Sequence, residues 1–152
     1  MAAPALAEEG IGEFLAQASF FSRFSDPQRA RILSLAKLVT LPMGKQVYGV
    51  GEPARTFYVL VEGKVLFSLA VGNRLANAGQ IIGSGDVFGW GALVESGQKR
   101  IATAITTSAC TALAFDGDEL IALADTDHSI GYILMRSLNK LITGTLTSFV
   151  AG

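Results

Sequence analysis

The most informative part of this chain is GDVFGWGALVESGQKRIAT, residues Gly85 to Thr103. It predicts a strand end, a glycine-rich turn, one short helix, a loop, and then Arg100 entering the next strand. Gly89 and Gly91 have no Cβ, so the backbone there can come close to a ligand. A helix that begins at such a turn points unpaired N–H groups outward, and an arginine adds a permanent charge suited to a phosphate. Together these features predict a pocket for a small phosphorylated molecule.

The same stretch resembles the phosphate-binding cassette of the cyclic nucleotide-binding domain family. That family includes the catabolite activator protein, regulatory subunits of cyclic-nucleotide-dependent kinases, and gated channels. Its pattern is Phe-Gly-Glu-x-Ala/Gly-Leu, a loop, and then Arg followed by two small residues and often Thr. The matching positions are Phe88, Gly89, Ala92, Leu93, Arg100, Ala102 and Thr103. The resemblance runs from about Phe20 to the chain end, and residues 42–65 are similar to the family's opening strands.

Two residues depart from the family pattern. Trp90 stands where the family has a glutamate that accepts a hydrogen bond from the ribose 2′-hydroxyl, and an indole can only donate. A ribose hydroxyl buried there without an acceptor would cost about 1–3 kcal/mol. Ile101 replaces a small residue and is expected to crowd the phosphate. Trp90 is interpreted either as a plug that closes the pocket or as a flat wall on which an aromatic ligand stacks.

The central part of the chain predicts a mainly β fold with flanking helices, because short β-rich runs alternate there with turn glycines. The resemblance implies a β jelly-roll barrel (a double-stranded β-helix) with helices before it and a long helix after it. The predicted strands are 38–41, 46–49, 56–61, 64–70, 79–82, 100–107 and 110–115. Gly72 and Asn73 predict a hairpin tip. Turn positions are predicted at Gly44, Gly51, Gly63 and Gly85.

Helices are predicted on both sides of the barrel. Apolar spacing and capping residues indicate helices over 11–24, 27–37, 118–124 and 128–149. We expect residues 1–10 to form a flexible tail and residues 11–152 to form a single domain. The last helix carries one apolar stripe, which packs either on its own barrel or on a second copy; the family commonly dimerises through this element. Its polar cluster lies near the family's contact with the nucleotide base, or is a set of polar positions at a frayed end: Thr143, Thr145, Thr147 and Ser148.

Composition excludes several classes of protein. The 152 residues are 50% hydrophobic with a mean hydropathy of +0.43, which favours a buried partner surface. The net charge of −1 gives no overall reason to seek nucleic acid. No apolar run is long enough to span a bilayer and no signal peptide is recognised, so a cytoplasmic protein is expected. The single cysteine, Cys110, is interpreted as a packed strand thiol in a reducing compartment.

Catalytic and metal sites are not expected. His128 is the only histidine, so the multi-histidine site of jelly-roll oxygenases cannot form. Helix capping explains the acidic residues better than a catalytic carboxylate pair does. These residues are Asp116, Asp118, Glu119, Asp125 and Asp127.

The sequence therefore favours a ligand-sensing regulatory domain that is not an enzyme. We expect no cofactor, a small anionic ligand such as cyclic AMP or cyclic GMP, and a homodimer formed through the last helix. The alternative is a degenerate domain with a closed pocket that serves dimerisation or partner docking.

Arg100 has its own alternative as a surface residue paired with Glu95, and Lys99 is interpreted as a solvated charge. No membrane partner is expected, and no DNA for this chain alone, since the helix-turn-helix of the family's transcription factors is not found before Gly152. The predicted ligand-binding residues are Phe88, Gly89, Trp90, Gly91, Ala92, Leu93, Arg100, Ile101 and Ala102.

Overall fold

The computed structural model describes residues 8–71, 74–75, 80–95 and 97–151. In these ranges two helices precede a set of strands and two helices follow it. The leading segments are α1 (Glu8–Gln17), a 3₁₀ turn (Ser19–Phe21) and α2 (Asp26–Leu33). The strands are β1 (Lys37–Leu41), β2 (Gln46–Tyr48), β3 (Thr56–Glu62), β4 (Val65–Val71), β5 (Arg74–Leu75), β6 (Gln80–Ile82), β7 (Val87–Phe88), β8 (Ala102–Thr106) and β9 (Cys110–Asp116). A second 3₁₀ turn, called the cassette turn below, covers Trp90–Leu93, and the chain closes with α3 (Gly117–Thr126) and α4 (His128–Ala151).

The strands form two antiparallel sheets, which confirms the predicted jelly roll. One sheet has the order β1-β9-β3-β7, and the other has the order β2-β8-β4-β5 with β6 also paired to β4. Neighbours in each sheet come from distant parts of the chain; Phe57 of β3, for example, lies opposite Phe115 of β9. Such long-range pairing brings the segments around residues 56 and 88 together, and the cassette turn follows directly after β7.

Two cores follow from the alternation of side chains along the strands. In β3, Phe57, Val59 and Val61 belong to a core that also contains residues of the helices, whereas Leu60 belongs to a second core. Because successive side chains of a strand point to opposite faces, one strand supplies both cores. The second core contains residues of both sheets, including Phe67 of β4 and Ala112 of β9, so it lies between them.

The leading helices are shorter and more broken than predicted. α1 begins at Glu8, inside the predicted tail. It ends at Gln17 because Ala18 adopts an extended conformation, so the predicted helix over 11–24 is wrong beyond that point. α2 begins as predicted, with Ser25 in a capping box, but it ends at Leu33 rather than at residue 37. The last predicted residue, Lys37, is instead the first residue of β1, paired with β9.

The strand predictions are confirmed to within a residue or two, with one omission. β5 was not expected, because it has only two residues and no periodic pattern can reveal a strand so short. β7 is the strand end predicted before the glycine-rich turn. The predicted hairpin tip, Gly72 and Asn73, lies outside the described residues. The four predicted turn glycines all have positive φ: Gly44, Gly51, Gly63 and Gly85.

The closing helices have the predicted caps. The Asp116 carboxylate accepts from the backbone N–H of Glu119 at the start of α3, and Asp127 accepts from the N–H groups of Ser129 and Ile130 at the start of α4. His128 is the exposed first residue of α4. No helix in the described part of the chain is long and apolar enough to cross a membrane.

The apolar stripe of α4 packs largely on its own domain. Ile130, Leu134 and Leu138 are buried in the helix-side core. Farther along the helix the packing loosens, since Leu146 is 52% exposed. Tyr132 and Met135, which lie off the stripe, are also exposed. The first of the two alternatives is thus confirmed for the first half of the stripe, and pairing with a second copy stays a prediction.

Candidate functional site

Arg100 is held in place by a short antiparallel pairing with the turn that follows β2. The backbone N–H of Arg100 donates to the carbonyl of Glu52 at 2.7 Å, and its own carbonyl accepts from the N–H of Gly51 at 2.9 Å. Pro53 and Lys99 form a β-bridge beside them. This pairing fixes the backbone at residue 100, so the direction of the arginine side chain is set by the fold rather than by the loop before it.

The guanidinium of Arg100 points into the domain. Its Nη1 donates to the carbonyl of Gly89 at 2.9 Å and its Nη2 to the carbonyl of Thr56 at 2.8 Å. The side chain also lies over the ring of Tyr48, with Cζ 4.0 Å from the ring centroid. Arg100 is only 7% exposed. The predicted alternative of a surface arginine paired with Glu95 is therefore wrong, because the inward direction of the side chain leads it to backbone carbonyls.

The charge of Arg100 is buried without an ion pair, and the nearby carboxylate of Glu52 only partly offsets the effect of burial on its pKa. In the described ranges, no acidic oxygen lies within the 4.0 Å of an ion pair with this guanidinium. Its Nε is buried and has no hydrogen-bond partner. Burial lowers the pKa of Arg100, although an arginine remains protonated in proteins. The same burial raises the pKa of Tyr48 to about 12. A buried cation with an unused donor is the electrostatic feature that would most favour an anion at this position.

The cassette turn is tied to Arg100 through one carbonyl. Gly89 has φ +77°, and its carbonyl accepts from both Arg100 and the backbone N–H of Ala92. A Cβ at Gly89 would meet the carbonyl oxygen of Thr56 at 2.8 Å. Glycine is required here both by the left-handed conformation and by the close approach of β3. The short helix predicted from the sequence is a single 3₁₀ turn, whose end at Leu93 is buried in the core.

Trp90 lines two pockets, which also share Phe67. A pocket of about 20 Å³ beside Arg100 is lined by Tyr48, Trp90 and Ile101 among others. A pocket of about 130 Å³ is lined by Trp90, Phe20 and Thr145 among others. One water molecule needs about 10–15 Å³, so the pocket beside Arg100 has room for about one water. The plug and the wall interpretations of Trp90 both stay predictions.

The other predicted ligand residues divide into core and surface. Four of them are buried in the two cores: Phe88, Ala92, Leu93 and Ala102. Phe88 stacks on Tyr58 with ring centroids 4.8 Å apart, so the residue just before Gly89 packs against β3. Gly91 lines the small pocket, and Ile101 is 42% exposed at its side. The structure thus gathers Gly89, Trp90, Gly91 and Arg100 around one point, and this set stays a predicted site.

Residues outside the cassette behave as structural residues. Cys110 is 4% exposed within β9, which confirms a packed thiol, and Lys99 is exposed. Thr145, from the predicted polar cluster, is buried, and its hydroxyl donates to the carbonyl of Leu141. Its side chain also lines the pocket of about 130 Å³. Within the ranges that the structure describes, no group of three or more His, Cys, Asp or Glu side chains could hold a metal ion.

The sequence did not predict two residues that contact Arg100. Tyr48 lies in a predicted strand, and Thr56 contributes only a backbone carbonyl, which no sequence pattern marks. One signal was available: in the predicted strand over 100–107, Arg100 shares the face of Ala102 and Ala104, both of which are buried. That alternation indicates an inward arginine.

Comparison with known proteins places this geometry in a family. Residues 38–127 match the model of the family described as the cyclic nucleotide-binding domain. A curated relative from Rhodopseudomonas palustris, named "Putative potassium channel protein", is 29% identical over 133 residues; the alignment covers 86% of this chain and 30% of that protein. The chain therefore spans about a third of the length of this relative.

Solved structures share the fold at low identity. A cyclic nucleotide-binding domain from Methylobacillus flagellatus has a TM-score of 0.76 at 19% identity, over 93% of this chain and 79% of that one. The regulatory domain of Toxoplasma gondii PKA, crystallised with cAMP, has a TM-score of 0.70 at 18% identity, over 90% of this chain and 48% of that one. With the family match extending over more than half of its residues, the chain belongs to the cyclic nucleotide-binding domain family.

Proposed function

We propose that this domain is a regulatory, non-enzymatic sensor that binds a small anionic ligand at Arg100 and signals through α4. The observation that carries the proposal is the buried guanidinium, which has carbonyl partners, an unused Nε and no ion pair among the described residues. A phosphate would supply a full negative charge where backbone carbonyls now supply partial ones. A cyclic nucleotide is the first ligand to test, since the related PKA regulatory domain was crystallised with cAMP.

The contacts suggest how binding would reach α4. A ligand that takes hydrogen bonds from Arg100 competes with the carbonyls of Gly89 and Thr56, so the cassette turn loses one of its ties. Trp90 is the first residue of that turn and lines a pocket opposite Leu141 and Thr145 of α4. A shift of Trp90 would therefore change the packing of the helix. The ligand signals only if it binds the shifted arrangement better than the present one.

A second candidate function is a closed domain that no longer takes a nucleotide. The space beside Arg100 is about 20 Å³, whereas ligand pockets usually span about 300–1,000 Å³. In this case the domain would serve as a dimerisation or docking module. The exposed apolar side chains of α4, Tyr132, Met135 and Leu146, are the natural surface for a second copy. A cytoplasmic location fits both candidates and is part of the proposal.

The two candidates are separated by calorimetric titration of four proteins with cyclic AMP and cyclic GMP. The proteins are the wild type, Arg100→Gln, Trp90→Glu, and Trp90→Glu combined with Arg100→Gln. Trp90→Glu supplies the family's acceptor and removes the bulk between the pockets. A gained ribose hydrogen bond should strengthen binding by about 10- to 100-fold, from the cost of an unpaired buried hydroxyl.

The pattern of nucleotide binding among these proteins distinguishes the sensor from the closed domain. Binding by the wild type that Arg100→Gln abolishes would support the sensor. Binding by Trp90→Glu alone would support a closed domain whose cassette is otherwise competent. If Trp90→Glu is folded by circular dichroism and still binds neither nucleotide, a cyclic nucleotide is excluded as the ligand of Arg100. Inorganic phosphate is then titrated against wild type and Arg100→Gln. Absence of binding there would reject the anion site altogether.

A further inference from the structure

The face of the Arg100 guanidinium rests on the ring of Tyr48. The Cζ atom lies 4.0 Å from the ring centroid, which is close enough for a cation–π contact. Both side chains are buried, since Arg100 is 7% exposed and Tyr48 is 5% exposed. Such a contact is stronger away from water than at a surface. The ring therefore stabilises a charge that has no ion pair among the described residues.

The ring supplies a constraint that the two carbonyls do not. Nη1 and Nη2 donate to the carbonyls of Gly89 and Thr56, which fixes the positions of two atoms of the guanidinium. A flat group held at two atoms can still turn about the line that joins them. Contact of its face with the Tyr48 ring removes this rotation. The ring thereby fixes the direction of the Nε–H, the buried donor without a partner.

Tyr48 is itself held by its neighbours. It is the last residue of β2 and lies opposite Ala104 of β8. Its ring stacks against Phe88 with centroids 6.4 Å apart, and Phe88 stacks in turn on Tyr58. Tyr48 and Phe88 belong to the core between the sheets, and Tyr58 packs against it. Tyr48 therefore offers the arginine a fixed surface, because its own ring is packed on the side of the core.

We infer that Tyr48 is the positioning residue of Arg100, and that an anion binds with the ring contact kept. The ring covers the face of the guanidinium, whereas the N–H donors lie along its edge. An anion can therefore replace the carbonyls of Gly89 and Thr56 while the stack stays intact. A group that is ordered before binding loses less entropy when a ligand arrives, so the ring should raise the affinity for anions. The inference rests on the proposed function for its ligand and adds the residue that prepares the arginine.

The position of the guanidinium can be measured without a ligand. We would record the arginine Nε–H signals by NMR and identify that of Arg100 by its loss in Arg100→Gln. A proton near the face of an aromatic ring is shifted to lower frequency by the ring current, so the Arg100 signal should lie apart from those of exposed arginines. Tyr48→Phe should keep this shift, because it keeps the ring, and Tyr48→Leu should abolish it.

The same substitution elsewhere provides a matched control. Tyr132 is 63% exposed, and its ring lies 5.7 Å from Cζ of Arg136 on α4. Tyr132→Leu should therefore leave the Arg100 signal unchanged.

The second arm measures anion affinity by calorimetry with inorganic phosphate. Tyr48→Leu should weaken binding about tenfold, in keeping with the usual strength of a buried cation–π contact. Tyr48→Phe should bind within about twofold of the wild type, because the aromatic face is retained. If Tyr48→Leu does not fold, trifluorophenylalanine at position 48 keeps the ring while fluorine withdraws the negative charge from its face. Relative to Tyr48→Phe, it should weaken phosphate binding about threefold to tenfold.

Three results would overturn the inference. The first is a wild-type Arg100 signal that lies among those of the exposed arginines. The second is the same Arg100 frequency in folded Tyr48→Leu as in Tyr48→Phe. The third is equal phosphate affinity in Tyr48→Phe and the fluorinated protein. If the wild type binds no phosphate, the proposed anion site fails, and the NMR arm by itself decides the role of Tyr48.

Discussion

Replacement of Gly89 by alanine tests whether the cassette turn is pinned by its neighbours. Gly89 has φ +77°, and a Cβ there would meet the carbonyl oxygen of Thr56 at 2.8 Å and Nη1 of Arg100 at 3.2 Å. Gly44 offers a matched control. Its φ is +81°, yet a Cβ there would meet nothing within 4 Å. The two substitutions share the conformational strain and differ in the contact.

The magnitudes follow from these two contributions. The left-handed conformation costs a residue with a Cβ about 1–2 kcal/mol, and this cost should be the whole effect of Gly44→Ala. At Gly89 the backbone of β3 must also move or the arginine must give way, and overpacking of this kind adds about 1–3 kcal/mol. Gly89→Ala should therefore lower the free energy of unfolding by about 2–5 kcal/mol.

Urea denaturation followed by Trp90 emission and by circular dichroism measures both values. The slope of the free energy against urea should be the same in both variants, because the folded state keeps its size. The difference between the variants is the decisive quantity. If Gly89→Ala and Gly44→Ala lose the same stability to within about 0.5 kcal/mol, then the Thr56 carbonyl does not pin the turn and the reasoning fails.

Two further predictions concern pH. The raised pKa of Tyr48, about 12, means that the folded state keeps a proton that the unfolded state loses above about pH 10. Stability should therefore fall between pH 10 and 12 by on the order of 2 kcal/mol, and Tyr48→Phe should remove that part of the fall in alkaline urea titrations. The pKa of Asp127 is lowered by its bonds to Ser129 and Ile130. Its stabilising effect should thus be lost as pH falls below about 4, so thermal melts of Asp127→Asn should vary less with acid than those of the wild type. An equal acid dependence in the two proteins would mean that the cap does not stabilise α4.

Local patterns in the sequence determined most of the barrel. Alternation of side chains revealed the strands, and positive-φ glycines marked the turns between them, because both depend only on neighbouring residues. The same patterns failed where an element was too short to show a period, as in β5, or where a helix changed type, as after Gln17. Capping by Ser25, Asp116 and Asp127 was recognisable because the donor lies within three residues of the acceptor.

The sequence predicted the position of the cassette, but it did not predict which groups contact its arginine. Gly89, Trp90, Gly91 and Arg100 are four of the nine ligand residues predicted from the nineteen residues of Gly85–Thr103, and all four line the small pocket. Whether the arginine faced a ligand, an acid or the protein itself depended on groups far away in the chain. Thr56 lies 44 residues before Arg100, and it reaches the guanidinium only because β3 pairs with β7 next to the cassette turn.

Residue patterns alone were enough to predict the family, the approximate strands and a cation in the cassette. The backbone carbonyls that hold this cation, and the segments that line the two pockets at Trp90, were known only once the fold was in place. The difference lies in the range of the interactions. Helix caps, turns and alternation act over a few residues, whereas a carbonyl acceptor or a pocket wall is supplied by whichever distant segment the packing of the sheets brings near.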